Sequence, residues 1–283
     1  MAANKEKIIQ FVIHGRWGGR TLICLYISIL SGLVLALQYN PADHFYSTAT
    51  IELIVPYGSF WRSLHYYSSQ AFFLLLLWHL ITAIAREKDI PAGNQWIRLT
   101  ACIPIGLLLM FTGYILRGDA TGEAAGAIAE HITLSIPLLG KPINSLLFEL
   151  STSGVRKVYA NHLIGLMVLG AIAVWPHLRK YTSSFHRHIP LTLAVFTTAV
   201  FCSAPMEPER IGLTHIAGPW FFLGLQEMLR YIPPFPAGVL IPSSLLLAVF
   251  LLPTGGKWRK ITLFCMSLCL FAYTILSIIS YGR

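Results

Sequence analysis

Apolar residues in this chain gather into long runs instead of alternating with polar ones. Seven runs approach the length that crosses about 30 Å of hydrocarbon at about 1.5 Å per residue: 18–38, 62–85, 97–116, 158–178, 188–204, 237–253 and 261–280. The pattern predicts an all-α integral membrane protein with seven transmembrane helices. Three connections, 40–60, 117–157 and 205–236, are longer than a tight turn. Two amphipathic pieces within them, at 124–134 and 218–230, are suited to lie along the membrane plane as short helices. The connection TSSFHRHIP at 182–190 is the most polar one on its side and separates four helices from three. The expected division is therefore a four-helix domain, 1–185, and a three-helix domain, 186–283, with no internal repeat.

Composition agrees, since 55% hydrophobic and 12% charged residues exclude an ordinary soluble domain. A net charge of +9 reads as a topology signal. With the N-terminus cytoplasmic, thirteen of the 21 basic residues fall on inner segments, among them Lys5, Arg16, Arg20, Arg86, Arg98, Lys180 and Lys257. The seventh span then leaves the C-terminus outside. The charge also favours anionic lipid as a partner, and it carries no nucleic-acid reading. No charged segment followed by a short apolar stretch and a cleavage site precedes the first run, so a removable signal peptide is not expected. The five cysteines form neither CxxC nor CxxCH, which leaves disulfide, zinc-ribbon and covalent c-type haem readings unsupported. Cys265 and Cys269, one turn apart, read as small packing residues.

The chemistry lies in four histidines. His65 and His79 are fourteen residues apart in the second span, leaving a residual rotation of about 40° and an axial separation of roughly 21 Å. His162 and His177 are fifteen apart in the fourth span, again within about 60° of one face. Both spans run from outside to inside, so His65 stands level with His162 and His79 with His177. Imidazoles paired at two depths are what axial ligation of two six-coordinate haems requires. Hydrogen bonding between helices and a proton relay for a transporter are the competing readings of intramembrane histidine. Gly18 and Gly32, also fourteen apart, would let a ring edge approach the first span at both depths, or serve close helix packing.

With these residues the sequence resembles cytochrome b of the quinol-oxidising bc and bf complexes. The likeness rests on WGG at 17–19, Gly32 with Tyr39 and Pro41, RSLH at 62–65, His79, Trp96, FTGY at 111–114, SIPLLG at 135–140, Lys157, His162 and His177. It implies two haem b groups, an outer one ligated by His65 and His162 and an inner one by His79 and His177. Gly18, Gly32, Gly113, Arg62 and Lys157 would help to hold them. It implies that 188–283 corresponds to a part that is a separate subunit in the bf complexes. It further implies a quinone substrate, a homodimer within a larger complex, and an energy-transducing membrane of the bacterial cytoplasmic kind. The fifteen-residue spacing is similar to the bf type. Since the bf cysteine that tethers an extra haem falls at Arg16, no covalent haem is expected.

Other departures bear on function. Family members carry Pro-Glu-Trp-Tyr, whose glutamate serves the outer quinol site; this chain has Gly218-Pro219-Trp220-Phe221. Arg117-Gly118-Asp119 stands where relatives have Pro-Trp followed by Gly or Asp, Leu99 where a glycine is expected, and Thr82 where an arginine is expected. Quinol oxidation releases protons and needs a base. The outer loops offer Glu123, Glu130, His131, His215 and Glu227, of which Glu130, His131 and Glu227 beside Trp220 are the preferred catalytic set. At the inner end Arg16, Lys180, His186 and His188 are within reach, with His186 and His188 the choice for a quinone site and the two cations read as topology anchors. The chain has no cysteine set for an iron–sulfur cluster, so bifurcation needs an external acceptor as a partner; the resemblance implies a Rieske protein, a mono- or multihaem cytochrome c or both. A haem b anchor without bifurcation and a proton-coupled transporter are the alternatives.

Overall fold

The computed structural model describes residues 15–86, 90, 91, 93–181, 183–207 and 216–282. Among them every regular element is a helix. In chain order these are α1 (Trp17–Ala36), α2 (His44–Leu53), α3 (Gly58–Ala85), α4 (Asn94–Thr100), α5 (Cys102–Arg117), α6 (Ala120–Leu134) and α7 (Gly140–Leu147). Then follow α8 (Thr152–Ala160), α9 (Leu166–Leu178), α10 (Ile189–Phe201), α11 (Leu223–Met228), α12 (Ile241–Leu251) and α13 (Gly256–Tyr281).

Each of the seven apolar runs is helical, and among the described residues five helical stretches are long and apolar enough to cross a membrane: Trp17–Ala36, Gly58–Ala85, Asn94–Arg117, Thr152–Leu178 and Gly256–Tyr281. The run at 188–204 yields only thirteen residues of α-helix, α10. Pro190 starts it and extended backbone at Cys202, approaching Pro205, stops it. The run at 237–253 is a helix over Pro236–Leu251. Pro253 and a Gly255 at φ +72 close it. The amphipathic piece at 124–134 lies within α6, whereas 218–230 condenses to the six residues of α11.

The chain divides into two compact units. The first comprises the described residues of Met1–Tyr39, Tyr46–Met110 and Leu169–Pro205. Its core joins α1, α3 and α10 through Ile23, Cys24, Ile27, Leu64, Val195 and Ala199. Small hydroxyl residues let α1 and α3 approach closely: Ser28 and Ser69 share a 2.7 Å hydrogen bond, while buried Ser31 and Ser68 return their hydroxyls to Ile27 O and Leu64 O. Each of these four hydroxyls thus has a hydrogen-bond partner where the two helices meet.

The second unit comprises Asn40–Phe45, Phe111–Val168 and Met206–Arg283, again in its described residues. Here α6 is capped by Asp119, whose Oδ1 accepts from Gly122 N at 3.0 Å. The same carboxylate accepts from Glu207 N at 2.8 Å and pairs with Arg117 at 2.5 Å, so the Arg-Gly-Asp departure is a buried structural knot. At the other end of the unit, Gly224 lets α11 sit against Tyr273 and Ser277 of α13. Tyr273 donates to Phe221 O at 2.6 Å and accepts from Leu225 N at 3.3 Å.

Candidate functional site

His65 and His79 both project from α3 beside α1. His65 Nδ1 lies 2.8 Å from the carbonyl oxygen of Ser28. A carbonyl only accepts, so Nδ1 carries the proton, and the neutral ring leaves Nε2 as a lone-pair donor. Gly32 makes room for this ring: a Cβ there would stand 2.8 Å from His65 Cε1. Gly18 does the same one level along, where a Cβ would stand 3.2 Å from both Cε1 and Nε2 of His79. The two glycines of the fourteen-residue repeat therefore face the two histidines of the other fourteen-residue repeat.

His79 lies near His177, which is on α9, with ring centroids 6.4 Å apart and planes at 50°. Two imidazoles bound on opposite sides of one metal, each at about 2.0–2.1 Å, would place their centroids roughly 6 Å apart. His79 Nδ1 is buried without a hydrogen-bond partner. Among the described residues no group of three or more His, Cys, Asp or Glu is gathered. A bare ion that needs four protein ligands is thus poorly served, while a metal that brings its own equatorial ring and needs two neutral nitrogens fits the donor set.

His162 is held within the second unit. Its Nδ1 shares a 2.9 Å hydrogen bond with the hydroxyl of Thr112 on α5. A Cβ on neighbouring Gly113 would stand 3.3 Å from His162 Cε1. The helix carrying His162 is not uniform: Asn161–Gly165 forms a π turn, in which Leu166 N bonds back to Asn161 O. A π turn accommodates one extra residue. The fifteen residues from His162 to His177 therefore count as fourteen in helical phase, and the residual rotation becomes about 40°, as for His65 and His79. Replacing Thr112 by valine keeps the shape and removes the partner of His162 Nδ1. If His162 is the haem ligand that its sequence pattern predicts, haem retention is expected to weaken roughly 10- to 100-fold, measured by titrating haem loss to an apoprotein acceptor.

The aromatic residues around Thr112 carry the site onward. Phe111 contacts Phe222 at 5.2 Å and Phe148 at 5.9 Å, and Tyr114 contacts Phe221 at 5.7 Å. The segment after Pro219 is thereby seated one residue away from the support of His162. Glu227, at the end of that segment, is 1% exposed, and its Oε1 accepts from Tyr231 OH at 3.1 Å. Trp220 is 43% exposed and stands edge-on to Phe221. Glu130 is half-buried and accepts from Asn144 Nδ2 at 2.9 Å, whereas His131 is exposed. Glu123 is exposed, 3.7 Å from His44, and His215 lies outside the described residues.

Arg62 is buried, but its guanidinium is already engaged: Nε meets Glu52 at 2.5 Å, Nη1 meets Pro205 O at 3.2 Å, and Nη2 meets Ala204 O. Lys157 binds Ser145 Oγ at 2.9 Å and Glu149 at 3.2 Å. Hydrogen bonds from Ser151 and Lys157 hold the Glu149 carboxyl below the usual range. Near the start of α1, His188 is buried where a Cβ on Gly19 would meet its Nε2, while His186 is exposed. Desolvation, then Arg20, Arg16 and Arg187, depress the His188 pKa, so the ring stays neutral. A cavity of about 130 Å³ adjoins His177, lined by Asn94, Gln95, Arg98, Leu99, Ala173 and Pro176. Leu99 thus lines a cavity together with His177, the one of the four histidines for which no glycine gap is found among the described residues.

Sequence reading missed Ser28 and Thr112, the residues that orient His65 and His162. Thr112 had a signal in its position next to Gly113, but Ser28 acts through its carbonyl, which no side-chain pattern reveals. Tyr231 was missed because its role depends on the burial of Glu227.

Comparison with known proteins gives the family. Residues 5–183 match the family described as cytochrome b/b6/petB. A cytochrome b6 of Heliomicrobium gestii is 27% identical over 167 residues, covering 56% of this chain and 75% of that one. A cytochrome b of Bugula neritina is 24% identical over 284 residues, covering 87% and 77%. A solved structure titled hyperthermophilic respiratory Complex III has the same fold, with a TM-score of 0.70, 20% identity, and coverage of 94% of this chain and 83% of that one. With a family match over more than half its length and apolar helices of spanning length, the chain belongs to the cytochrome b/b6/petB family of membrane haem proteins of electron transport.

Proposed function

We propose that this chain is the di-haem b subunit of a quinol:cytochrome c-type oxidoreductase. Electrons would pass from an outer quinol site to an inner quinone site, with proton translocation. The observation that carries the reading is the matched pair of repeats: histidines and glycines fourteen apart on α3 and α1, facing each other residue for residue. In this reading seven helices span the membrane, with the N-terminus cytoplasmic and the C-terminus outside. Residues 1–185 form the haem domain and 186–283 the three-helix domain. His65 and His162 hold the outer haem b, and His79 and His177 the inner one, both without covalent attachment. When bound, haem b supplies a one-electron carrier at each depth.

The residues of the chain do the rest. Ser28 O fixes the His65 tautomer that presents Nε2, and the Thr112 hydroxyl orients the His162 ring through its Nδ1. Glu130, His131, Trp220 and Glu227 are the outer-site set, from which a carboxylate takes the quinol proton. Neutral, buried His188, with exposed His186 beside it, serves the inner quinone as hydrogen-bond donor. Because the chain lacks its own high-potential acceptor, the assembly would include a Rieske protein, a c-type cytochrome or both, and a second copy of this chain.

Purified protein reduced with dithionite is expected to give a b-type difference spectrum with two haems per chain, all extractable by acidified acetone. A spectrum without haem overturns the reading. Pro219, in place of an acid, favours a second reading, a haem anchor without bifurcation. Addition of a high-potential oxidant to the quinol-supplied complex separates the two, since a transient increase in reduced haem b is expected only with bifurcation.

A further inference from the structure

Glu227 is a buried carboxylate on α11, whose Leu223 and Met228 are buried as well. Burying an acid this fully is costly unless it has a hydrogen-bonding partner and a use. Its partner is Tyr231, one turn on, whose hydroxyl meets Oε1 at 3.1 Å and whose ring is 68% exposed. One side of this couple is sealed from solvent and the other opens to it. Arg230 Nη1 lies 4.0 Å from Oε2, a loose contact on the surface side.

The segment's position is set by two independent anchors. Phe221 and Phe222 pack on Tyr114 and Phe111, adjacent to the residues that hold His162. Gln226 staples the opening of the segment, accepting from Gly218 N and donating to Ile216 O, both at 2.8 Å. Pro219 therefore cannot present a base, and the next acid along the segment is Glu227. His131 is exposed, and Glu130 is tied to Asn144 on α7.

We propose that Glu227 and Tyr231 form the proton exit of the outer quinol site, Glu227 as the catalytic base and Tyr231 as the relay to water. This rests on the quinol-oxidising reading given above. In the first step a quinol O–H bond breaks and an O–H bond forms on the Glu227 carboxylate, leaving a quinol monoanion. The carboxyl proton then passes to the phenol oxygen of Tyr231 as the phenol proton leaves to water. The phenol turns back to donate to the carboxylate, and the site is reset with one proton released.

The test compares the assembled complex with Glu227→Gln, Glu227→Asp, Tyr231→Phe and Glu130→Gln variants, following haem b reduction by a short-chain quinol in stopped flow. Glu227→Gln is expected to lower the limiting rate about 100-fold or more with KM nearly unchanged. Glu227→Asp should recover part of the rate, and Tyr231→Phe should show a smaller loss. Infrared difference spectra on adding quinol should show a carboxylic-acid carbonyl band that is absent in Glu227→Gln. Wild-type rates in both Glu227→Gln and Tyr231→Phe overturn the proposal, as does a loss confined to Glu130→Gln. Should Glu227→Gln fail to assemble, a wild-type rate in Tyr231→Phe is enough to overturn it. Failure of the underlying reading looks different: quinol then leaves haem b oxidised even in the wild type.

Discussion

On the di-haem reading proposed above, exchanging His79 for alanine is expected to halve the b-haem content of the purified protein and to abolish electron transfer between the two sides of the membrane. His79 and His177 are the couple whose ring centroids lie 6.4 Å apart, and the unpartnered Nδ1 of His79 is buried. Alanine removes a nitrogen donor and supplies nothing in its place, and a haem held by His177 alone would be more weakly bound. The same result is expected for His177→Ala. His79→Ala also leaves space beside Gly18, so added imidazole should restore part of the haem content. Quantifying haem per chain after extraction, with and without imidazole, checks both statements. Retention of two haems in both variants would mean that these rings are ordinary packing residues.

The second large effect concerns stability. Arg117→Ala is expected to cost about 3–5 kcal/mol, because it leaves the Asp119 carboxylate buried without its counter-charge. Asp119 is 0% exposed, and its oxygens are divided among Gly122 N, Glu207 N and Arg117. Two backbone donors remain after the substitution, too few to replace a guanidinium at 2.5 Å. Asp119 caps α6 and at the same time fastens residue 207, so its loss should loosen both. Adding Asp119→Asn to Arg117→Ala removes the stranded charge and should regain part of the stability. Thermal unfolding of the detergent-solubilised protein gives the comparison. Equal midpoints for Arg117→Ala and wild type would show that solvent reaches this carboxylate.

The apolar runs and the histidine and glycine spacings were legible in the sequence because both follow from local geometry. A span needs about 1.5 Å of rise per residue, and a fourteen-residue interval returns a side chain to nearly the same face whatever surrounds it. Those two facts by themselves determined an all-helical membrane protein, the four histidines, and the glycines at 18 and 32. The short extent of α10 was foreshadowed by Pro190 and Pro205, although hydropathy alone extended the run.

Only the tertiary structure decided which groups meet. It assigned the His65 proton through the carbonyl of Ser28, and it placed a π turn at Asn161–Gly165 that takes up the extra residue between His162 and His177. Arg62 was read from its motif as a cofactor contact, yet Glu52, Ala204 and Pro205 occupy its guanidinium. Glu227 and Glu130 were equal candidates as letters; the fold buried one beside Tyr231 and tied the other to Asn144. Side-chain chemistry and helical phase are properties of single segments, so they can be read along the chain. Hydrogen-bond partners, burial and carbonyl acceptors arise where distant segments come together, and no local pattern encodes them.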